Sequence, residues 1–442
     1  MKLVSMLHSA LLLGAVSLIP ATTAGLAAVD GRSSEQFSRL ELVYAWLKAY
    51  YVEPTEDGKL EDGAIEGMLS SLDPHSSYLS GASIQRLNNM IDGEYQGLGL
   101  SVVMDDGAVK VVAPMRGSPG EAAGIKAGDY ITHIDGKLIY GGELDDAVAQ
   151  MRGPAGTKIR LTIFRSGREQ PFDVTVTRGV IKLEPVTWEL KDNVGVITVN
   201  EFGKDVGESV AKGIADLKLK SGGKLEGLVL DLRQNPGGEL EEAVALSDVF
   251  LTKGDIVSQR GRNSREDQYF RAETMFPGDL AKGLPLIVLI DEGSASASEI
   301  VAGALQDQHR ALIMGQRSFG KGSVQSLFYF DRSRSSGVKF TTARYYTPSG
   351  RSVQEGGIDP DIRVPQLSDP DAARRSELTA RESDLRRHLV NEAAMDDKKL
   401  ESDRQADPHF KETPDTLKAK GIKDFQMFYA IQTVHRTAAV KR

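Results

Sequence analysis

The chain has 442 residues, of which 40% are hydrophobic and 26% are charged, and its formal net charge is −8 at pH 7. This length exceeds one ordinary hydrophobic core, so two or three domains are expected. The acidic balance disfavours nucleic acid as a partner. The lack of cysteine excludes a thiol nucleophile, a disulfide framework and cysteine metal sites.

Residues 1–28 have the layout of a secretory signal peptide. A positively charged start, Met1 and Lys2, precedes an apolar stretch over residues 11–20 and then small residues, with cleavage predicted after Ala27. The alternative is an uncleaved membrane tether, although Pro20 and Gly25 interrupt an apolar run that is short for a span. We therefore expect an exported, periplasmic protein.

Residues 33–95 are expected to form a helical N-terminal region. One apolar stripe with helical spacing covers residues 37–51, and a second helix is predicted over residues 60–72. Two short helices bury little apolar surface on their own. The region therefore either packs as a cap on the rest of the chain or contacts a second copy of the protein.

Residues 96–179 show short strand patterns separated by turn signals, which indicates a small β-rich domain. The predicted strands cover residues 100–104, 108–112, 130–134, 158–164 and 172–177. One helix is predicted over residues 143–151.

Strands alternate with helices over residues 180–365, which is typical of an α/β core. The predicted strands cover residues 194–199, 225–232, 284–290 and 311–314, and the predicted helices cover residues 206–220, 239–250 and 298–308. The almost continuous apolar strand at 285–290 indicates a sheet that is covered on both faces.

Residues 366–442 are expected to form a charged helical extension. The highly charged stretch at 369–400 predicts a solvated helix or a flexible arm. A final amphipathic helix is predicted from the spacing of Phe425, Phe428, Ile431 and Val434, and it would pack on the body of the protein or hold a partner.

Small residues connect an apolar strand to a helix at residues 291–300, and three of them are serines: Ser294, Ser296 and Ser298. A serine at this junction exposes its hydroxyl beside the backbone N–H groups of the first helical turn. That arrangement suits a nucleophile next to an oxyanion site. The alternative is plain capping of the helix by Ser298.

Lys321 lies between Gly320 and Gly322, ahead of a strand-like run. Burial would lower the pKa of this lysine and let its neutral amine take the proton of a serine hydroxyl. Residues 315–322 also approach the pattern of a phosphate-binding loop. Gly322 occupies the Ser/Thr position of that pattern, and no helix is predicted to follow, so a nucleotide site is disfavoured.

A buried strand is predicted to end in the sequence Asn235, Pro236, Gly237, Gly238 before the next helix. The backbone N–H of Gly237 or Gly238 is a candidate oxyanion donor, with the N–H of Ala297 as the second donor. The alternative is an ordinary strand-to-helix turn. None of the seven histidines stands in a recognisable catalytic or zinc motif, so no metal or organic cofactor is expected.

Taken together, these segments resemble the C-terminal processing peptidases, also called tail-specific proteases, over residues 33–364. The motifs that carry the resemblance occur in the family's order at residues 72–78, 97–100, 231–238, 293–299 and 318–325. The resemblance implies a serine endopeptidase with a Ser-Lys dyad, in which Ser296 is the nucleophile and Lys321 is the general base.

The same resemblance assigns further residues around the dyad. Gln325 would hold the lysine amine, and Asp307 falls where some family members have a third polar residue. Asp307 would lie roughly 16 Å from Ser296 along a continuous helix, which argues against direct contact. Glu299 matches the family pattern and is expected to act structurally at a helix N-terminus.

Residues 96–179 resemble a PDZ domain. Its carboxylate-binding loop would consist of Gly97, Leu98, Gly99 and Leu100, and a bound peptide would add as a strand beside residues 100–104. The pocket for an apolar terminal side chain would be lined by Leu144, Val148 and Met151. The alternative is a closed β domain without a ligand.

The sequence therefore predicts a multidomain α+β protein, with a helical N-terminal region, a PDZ-like β domain, an α/β protease core and a charged helical extension. Its expected function is cleavage of exported polypeptides that are captured through exposed C-termini. The alternative is a catalytically idle or partner-gated PDZ scaffold. A homo-oligomer and an activating adaptor protein are the expected partners.

Overall fold

The computed structural model describes residues 16–18, 33–91, 94–105, 108–114, 117–126, 128–139, 144–168, 170–182, 185–273, 275–368, 381–391, 410 and 412–440. The chain divides into two compact units, one of residues 1–85 with 185–442 and one of residues 86–184. The predicted signal peptide lies outside the described residues except for Val16–Leu18, which form strand β1. Within the described ranges, no helix is long and apolar enough to cross a bilayer.

The N-terminal part contains the two predicted helices and two further elements. They are α1 (Ser33–Tyr50), α2 (Asp57–Ser70), β2 (Ser77–Ser80) and α3 (Gly81–Ile91). The apolar side chains of α1 are largely exposed to solvent, and they include Leu40, Leu42, Val43, Trp46 and Tyr50. Trp46 alone leaves 54% of its surface in solvent, so the described chain does not cover this stripe.

The unit of residues 86–184 is a small β domain that contains all five predicted strands. Its elements are β3 (Glu94–Gly97), β4 (Leu100–Asp105), β5 (Ala108–Pro114), α4 (Pro119–Ala122), β6 (Tyr130–Ile134), β7 (Lys137–Leu138), α5 (Leu144–Met151), β8 (Lys158–Phe164), β9 (Phe172–Thr177) and β10 (Gly179–Lys182). The main sheet has the order β4-β5-β6-β8-β9, with β7 paired to β6, while β10 pairs with β3. Strand β4 is therefore at the edge of the sheet.

The rest of the larger unit is an α/β structure. Its elements are β11 (Val186–Lys191), β12 (Val194–Val199), α6 (Val206–Lys220), β13 (Gly227–Asp231), α7 (Leu240–Asp248), β14 (Asp255–Gly261), β15 (Gln268–Arg271), β16 (Leu286–Ile290), α8 (Ala297–Asp307), β17 (Leu312–Gly315), β18 (Ser323–Tyr329), β19 (Ser336–Tyr346), β20 (Ile362–Arg363), α9 (Pro414–Ala419) and α10 (Phe425–Val440).

One sheet of this unit has the order β11-β12-β13-β16-β17-β20, and its strands run parallel from β12 to β20. Side chains of β16 alternate between two cores. Leu286, Val288 and Ile290 join the cluster that contains α6, α7 and α8, while Ile287 and Leu289 join the cluster that contains α10. The prediction of a sheet covered on both faces is confirmed.

A second sheet has the order β1-β18-β19-β14-β15, and β2 adds to β19. In this pairing, Ser77 of β2 lies opposite Lys339 of β19. The segment just before α3 is therefore part of the same unit as β18 and β19, although it precedes them by more than two hundred residues in the chain.

The C-terminal extension differs from its prediction in two respects. Helix α10 packs on the sheet through Phe425, Ile431 and Val434, but Phe428 is 38% exposed and does not belong to the buried stripe. Of the charged stretch at 369–400, only residues 381–391 are described, and they are only partly solvated: Asp384, Arg386 and Arg387 are exposed, whereas Arg381 and Glu382 are buried. Glu382 begins a 3₁₀ turn and is 0% exposed.

Candidate active site

The loops that follow β13, β16 and β17 meet at one edge of the parallel sheet. Adjacent parallel strands place their carboxyl ends side by side, which is where α/β proteins build sites. The hydroxyl of Ser294, after β16, donates to the carbonyl of Leu232, after β13, at 2.8 Å. The amide of Phe319, after β17, donates to the carbonyl of Ser294 at 3.0 Å. The three motif segments are thus hydrogen-bonded to one another.

Ser296 occupies a strained turn immediately before α8. Its φ of 55° and ψ of −109° lie outside the regions that a residue with a side chain prefers, at a cost of about 1–3 kcal/mol. The carbonyl of Asn235 stabilises this turn because it accepts from Ala295 N at 3.0 Å and from Ser298 Oγ at 2.9 Å. Helix α8 begins at Ala297 with Ser296 at its N-cap position, so Ser298 is not the capping residue.

Gly237 approaches this turn too closely for any side chain, and Gly238 approaches Phe202 in the same way. A Cβ on Gly237 would lie 2.9 Å from the Cβ of Ser296 and 3.0 Å from the nitrogen of Ala297, and a Cβ on Gly238 would lie 2.2 Å from the carbonyl oxygen of Phe202. Both glycines also have positive φ angles, of 105° and 148°. The packing around the serine therefore requires glycine at position 237, and the contact with Phe202 requires glycine at position 238.

The backbone N–H groups at this place differ in their partners. The N–H of Gly237 donates to the side chain of Asn235 at 2.9 Å. The N–H groups of Gly238 and Ala297 donate to no residue that the structure describes. Of the three oxyanion candidates, Gly238 and Ala297 therefore have a backbone N–H that can donate to a ligand, whereas the N–H of Gly237 already donates to Asn235.

Glu299 connects the serine turn to the lysine loop. Its Oε2 accepts from the amides of Ser296 at 2.7 Å and Lys321 at 2.9 Å, and its Oε1 accepts from the Ser318 hydroxyl at 2.5 Å and the Gly320 amide at 2.7 Å. Burial raises the pKa of Glu299 to about 7, against the effect of these hydrogen bonds, which favour the carboxylate. This carboxylate holds the two segments together.

The amine of Lys321 is buried, with 1% of the residue exposed. Burial lowers the pKa of Lys321 to about 7, and the positive charge of Lys339 acts in the same direction. Three acidic groups oppose this shift: Glu382, Glu299 and Asp73. A neutral amine is therefore accessible near neutral pH. Strand β18 follows Lys321 almost directly, so the helix that a phosphate-binding loop needs is absent from this described segment.

Gln325 is buried on β18, but its amide donates elsewhere. The Nε2 group donates to Ser323 Oγ at 3.0 Å and to Thr341 Oγ1 at 3.1 Å. These bonds fix Gln325 in the sheet beside the site, and its role in holding the lysine amine stays a prediction.

Asp307 is the last residue of α8, whereas Ser296 precedes the first, so the two are separated by roughly 16 Å. Its carboxylate accepts from Ser349 N at 3.0 Å and lies 3.4 Å from Arg351. Burial acts to raise the pKa of Asp307, but hydrogen bonds from Thr347 and Ser349 hold it below its usual value. The structure does not bring Asp307 to the serine.

In the β domain, the loop at residues 97–100 leads into edge strand β4. Leu98 is buried, and its carbonyl accepts from Gly120 N at 2.8 Å. Gly99 has a φ of 66°, and a Cβ there would lie 2.4 Å from the Cβ of Ser118. Met151 is buried in the domain core and Val148 is half-buried against it, while the side chain of Leu144 lies outside the described residues.

One buried histidine was not anticipated from the sequence. Nε2 of His75 lies 2.8 Å from Oε2 of Glu382, and both residues are buried. His75 belongs to the motif at residues 72–78, so the sequence marked its position. Its contact with Glu382 was not predictable, because Glu382 lies in the charged stretch at residues 369–400, which predicts a solvated segment. No group of three or more potential metal ligands is found among the described residues.

Three family models match successive parts of the chain. The family model described as "Peptidase family S41" matches residues 193–364, a PDZ domain model matches residues 110–165, and the N-terminal domain of the activating protease CtpB matches residues 21–82.

Individual relatives match over much more of the chain. The carboxy-terminal-processing protease of Bartonella bacilliformis is 44% identical over 363 residues, covering 82% of each chain. The carboxy-terminal processing protease CtpA of Bacillus subtilis is 35% identical over 331 residues, covering 74% of this chain and 69% of that one. A solved photosystem II D1 C-terminal processing protease is 27% identical, covering 81% of this chain and 95% of that one, with a TM-score of 0.47.

The fold and these matches define a serine peptidase that carries a PDZ domain. The chain belongs to the carboxy-terminal processing protease family, which confirms the resemblance noted in the sequence.

Proposed function

We propose that this protein is an endopeptidase in which Ser296 attacks the peptide carbonyl and Lys321 is the general base. One observation carries the proposal: a single buried oxygen, Oε2 of Glu299, accepts the backbone amides of both residues. A shared acceptor keeps those two amide nitrogens within about 6 Å of each other. The lowered pKa of Lys321 supports a neutral amine that takes up a proton at neutral pH.

The reaction proceeds through an acyl-enzyme. The Lys321 amine takes the proton of the Ser296 hydroxyl while Oγ bonds to the carbonyl carbon. The N–H groups of Gly238 and Ala297 donate to the oxyanion. The C–N bond then breaks, and the Lys321 ammonium returns its proton to the leaving amine. Water, deprotonated by Lys321, then attacks the ester, the C–Oγ bond breaks, and the Lys321 ammonium returns the proton to Ser296 Oγ as the second product leaves.

The substrates are exported polypeptides with exposed, apolar C-termini, recognised in the periplasm. The loop of Gly97, Leu98, Gly99 and Leu100 binds the terminal carboxylate, and the peptide adds along the edge of β4. The edge position of β4 and the signal-peptide pattern of residues 1–28 support this assignment. The N-terminal residues would either be removed or stay as a membrane tether.

The protein acts as a homo-oligomer that an adaptor protein can activate. Support comes from the exposed apolar stripe of α1, which offers a surface for a second copy. The match of residues 21–82 to the N-terminal domain of the activating protease CtpB supports a regulatory role for the same region.

The test is cleavage of an unfolded protein with an apolar C-terminus by protein that starts after Ala28, beside Ser296→Ala and Lys321→Ala variants. Cleavage by the parent and by neither variant is the expected result, and amidation of the substrate's terminal carboxylate should slow it at least tenfold. Cleavage that survives in both variants would overturn the dyad. Inactivity of all three would favour an idle or partner-gated scaffold.

A further inference from the structure

The C-terminal extension reaches the lysine side of the site through one carboxylate, that of Glu382. This residue is completely buried. Its backbone N–H donates to the carbonyl of Phe319 at 3.3 Å, two residues before Lys321. Its carboxylate accepts from Gln354 Nε2 at 2.9 Å and from His75 Nε2 at 2.8 Å. Because an ionised carboxylate can only accept, the Nε2 atom of His75 carries a proton.

Gln354 extends this contact to the peptide units on both sides of the lysine. Its Oε1 accepts from Gly322 N at 3.0 Å, and the adjacent Glu355 donates its N–H to the carbonyl of Gly320 at 2.8 Å. The residues that flank Lys321 are thus bonded to residues 354–355, and Gln354 is bonded in turn to Glu382. Glycine is required at both flanking positions, since a Cβ on either would lie within 2.7 Å of this backbone.

His75 is itself fixed on the other side. Asp73 accepts from the His75 amide at 2.8 Å and from the Ser76 hydroxyl at 3.0 Å. The same hydroxyl accepts from the amide of Thr341 on β19 at 3.3 Å. His75 is therefore anchored to the sheet that contains β18, the strand that follows Lys321.

Burial of an ionised carboxylate carries a large desolvation penalty, and an apolar side chain of similar volume would give equal or better stability. The position of Glu382 next to a base therefore favours a functional role over a packing role. We propose that Glu382 is a positioning residue for Lys321, held in place by His75 and Gln354, and that these three residues form a brace behind the lysine loop. This inference rests on the proposed role of Lys321 as general base.

The brace has an electrostatic consequence with a definite sign. The charged groups that face Lys321 are Glu299 from α8, Asp73 before β2, Lys339 from β19 and Glu382. A negative Glu382 favours the ammonium form of Lys321, so its removal lowers the pKa of the lysine, whereas removal of Lys339 raises it.

The decisive experiment measures kcat/KM against pH for Glu382→Gln, which keeps the shape of the side chain and removes its charge. In this variant, the rise of kcat/KM on the acidic side of the pH profile should move to lower pH by about one unit. In Lys339→Met, the same rise should move to higher pH. Glu208→Gln, at an exposed glutamate on α6, should leave the rise in place. A Glu382→Gln profile that coincides with that of the parent would overturn the proposal.

Positioning is tested separately from charge. Glu382→Ala should lower kcat by roughly 10- to 100-fold with a smaller change in KM. His75→Ala should behave alike, while His75→Gln, which keeps a donor for the carboxylate, should recover most of the activity. Unchanged kcat in folded Glu382→Ala protein would contradict the brace, and if that variant does not fold, the Glu382→Gln profile decides.

A readout without turnover separates this inference from the proposed function. The rate at which acetic anhydride labels Lys321, followed against pH by mass spectrometry of the Lys321 peptide, reports the titration of the amine directly. The labelling midpoint should shift downward in Glu382→Gln even if the protein cleaves no substrate. A shift in labelling without proteolysis would retain the brace and favour the idle or partner-gated scaffold over the proposed function, while an unshifted midpoint would reject the brace.

Discussion

The backbone amides of Ser296 and Lys321 donate to the same atom, Oε2 of Glu299, over 2.7 and 2.9 Å. The other oxygen of this carboxylate holds the Ser318 hydroxyl and the Gly320 amide. One buried side chain thus fixes the serine turn and the lysine loop relative to each other without being needed at the substrate. Errors of about 1 Å in such an arrangement are costly to catalysis.

Replacement of Glu299 by glutamine should separate the two segments. Glutamine offers one acceptor oxygen, and its NH₂ group would face N–H donors that now bind a carboxylate. We expect kcat/KM to fall at least 100-fold and the free energy of unfolding to fall by about 1–3 kcal/mol. Peptidase assays and urea unfolding measure both. A variant as active and stable as Glu208→Gln would contradict this role.

The activity should depend on pH through the lysine. Because the base must be neutral and burial lowers the pKa of Lys321 to about 7, kcat/KM should rise with pH and level off above about 7. Stopped assays from pH 5 to 10 with a single peptide would show this. A value of kcat/KM that still rises steeply at pH 10, as expected for the ordinary lysine pKa of 10.5, would mean that the amine is solvated in the working enzyme.

Lys321→Met should stabilise the protein while it abolishes activity. The pKa of the lysine is about 7 in the folded chain and 10.5 in the unfolded chain, so the unfolded state binds more protons between these values. The free energy of unfolding of the parent therefore falls relative to that of the variant as pH drops from 10.5 to 7. Below pH 7, the difference between the two proteins stays constant. Thermal unfolding at pH 6, 8 and 10 should show a Tm advantage of several degrees that shrinks with pH. An equal advantage at all three pH values would contradict the buried amine.

Gly237→Ala should displace the serine. The new Cβ would fall 2.9 Å from that of Ser296, on a backbone with a φ of 105°. We expect at least a 100-fold loss of kcat. Gly203→Ala is the matched control, because Gly203 has open space around its Cβ position and should tolerate the methyl group. If both variants keep full activity, the packing of Gly237 does not set the serine geometry.

Trp46→Asp should dissociate the proposed oligomer. Trp46 leaves 54% of its surface exposed on α1, and a charge in the middle of an apolar interface is expensive to bury. Light scattering should give a smaller mass for this variant than for the parent and for Glu41→Gln on the same helix. A parent that is already monomeric would refute self-association through α1.

Periodicity predicted a strand that is buried on both faces and a helix that is buried on one face. Strand β12 (Val194–Val199) and helix α6 (Val206–Lys220) have the expected bounds, because their apolar patterns are strong and local. Strand β19 (Ser336–Tyr346) was not predicted, since most of its residues are only half-buried and give little apolar contrast. Strand β2 (Ser77–Ser80) was missed for a different reason: four residues carry little signal, and their partner is remote in the chain.

The three loops of the site were predictable because each ends an apolar strand with a distinctive motif. Two features of the site could not be predicted from the sequence. The competition for the Gly237 N–H depends on the side chain of Asn235, which only the folded geometry reveals. The burial of Glu382 contradicts the local composition, because a charge in a charged stretch is usually solvated, and its partner His75 is 307 residues away.

The pairing of Ser77 with Lys339 also has a consequence for the order in which the chain folds. During synthesis, β2 is made long before β19, and a pairing of such sequence separation closes late and slowly. A growing chain that ends just after Lys321 contains both Ser296 and Lys321 but none of β19 (Ser336–Tyr346). We therefore expect the sheet that contains β18, the strand after Lys321, to close only once Tyr346 has been made.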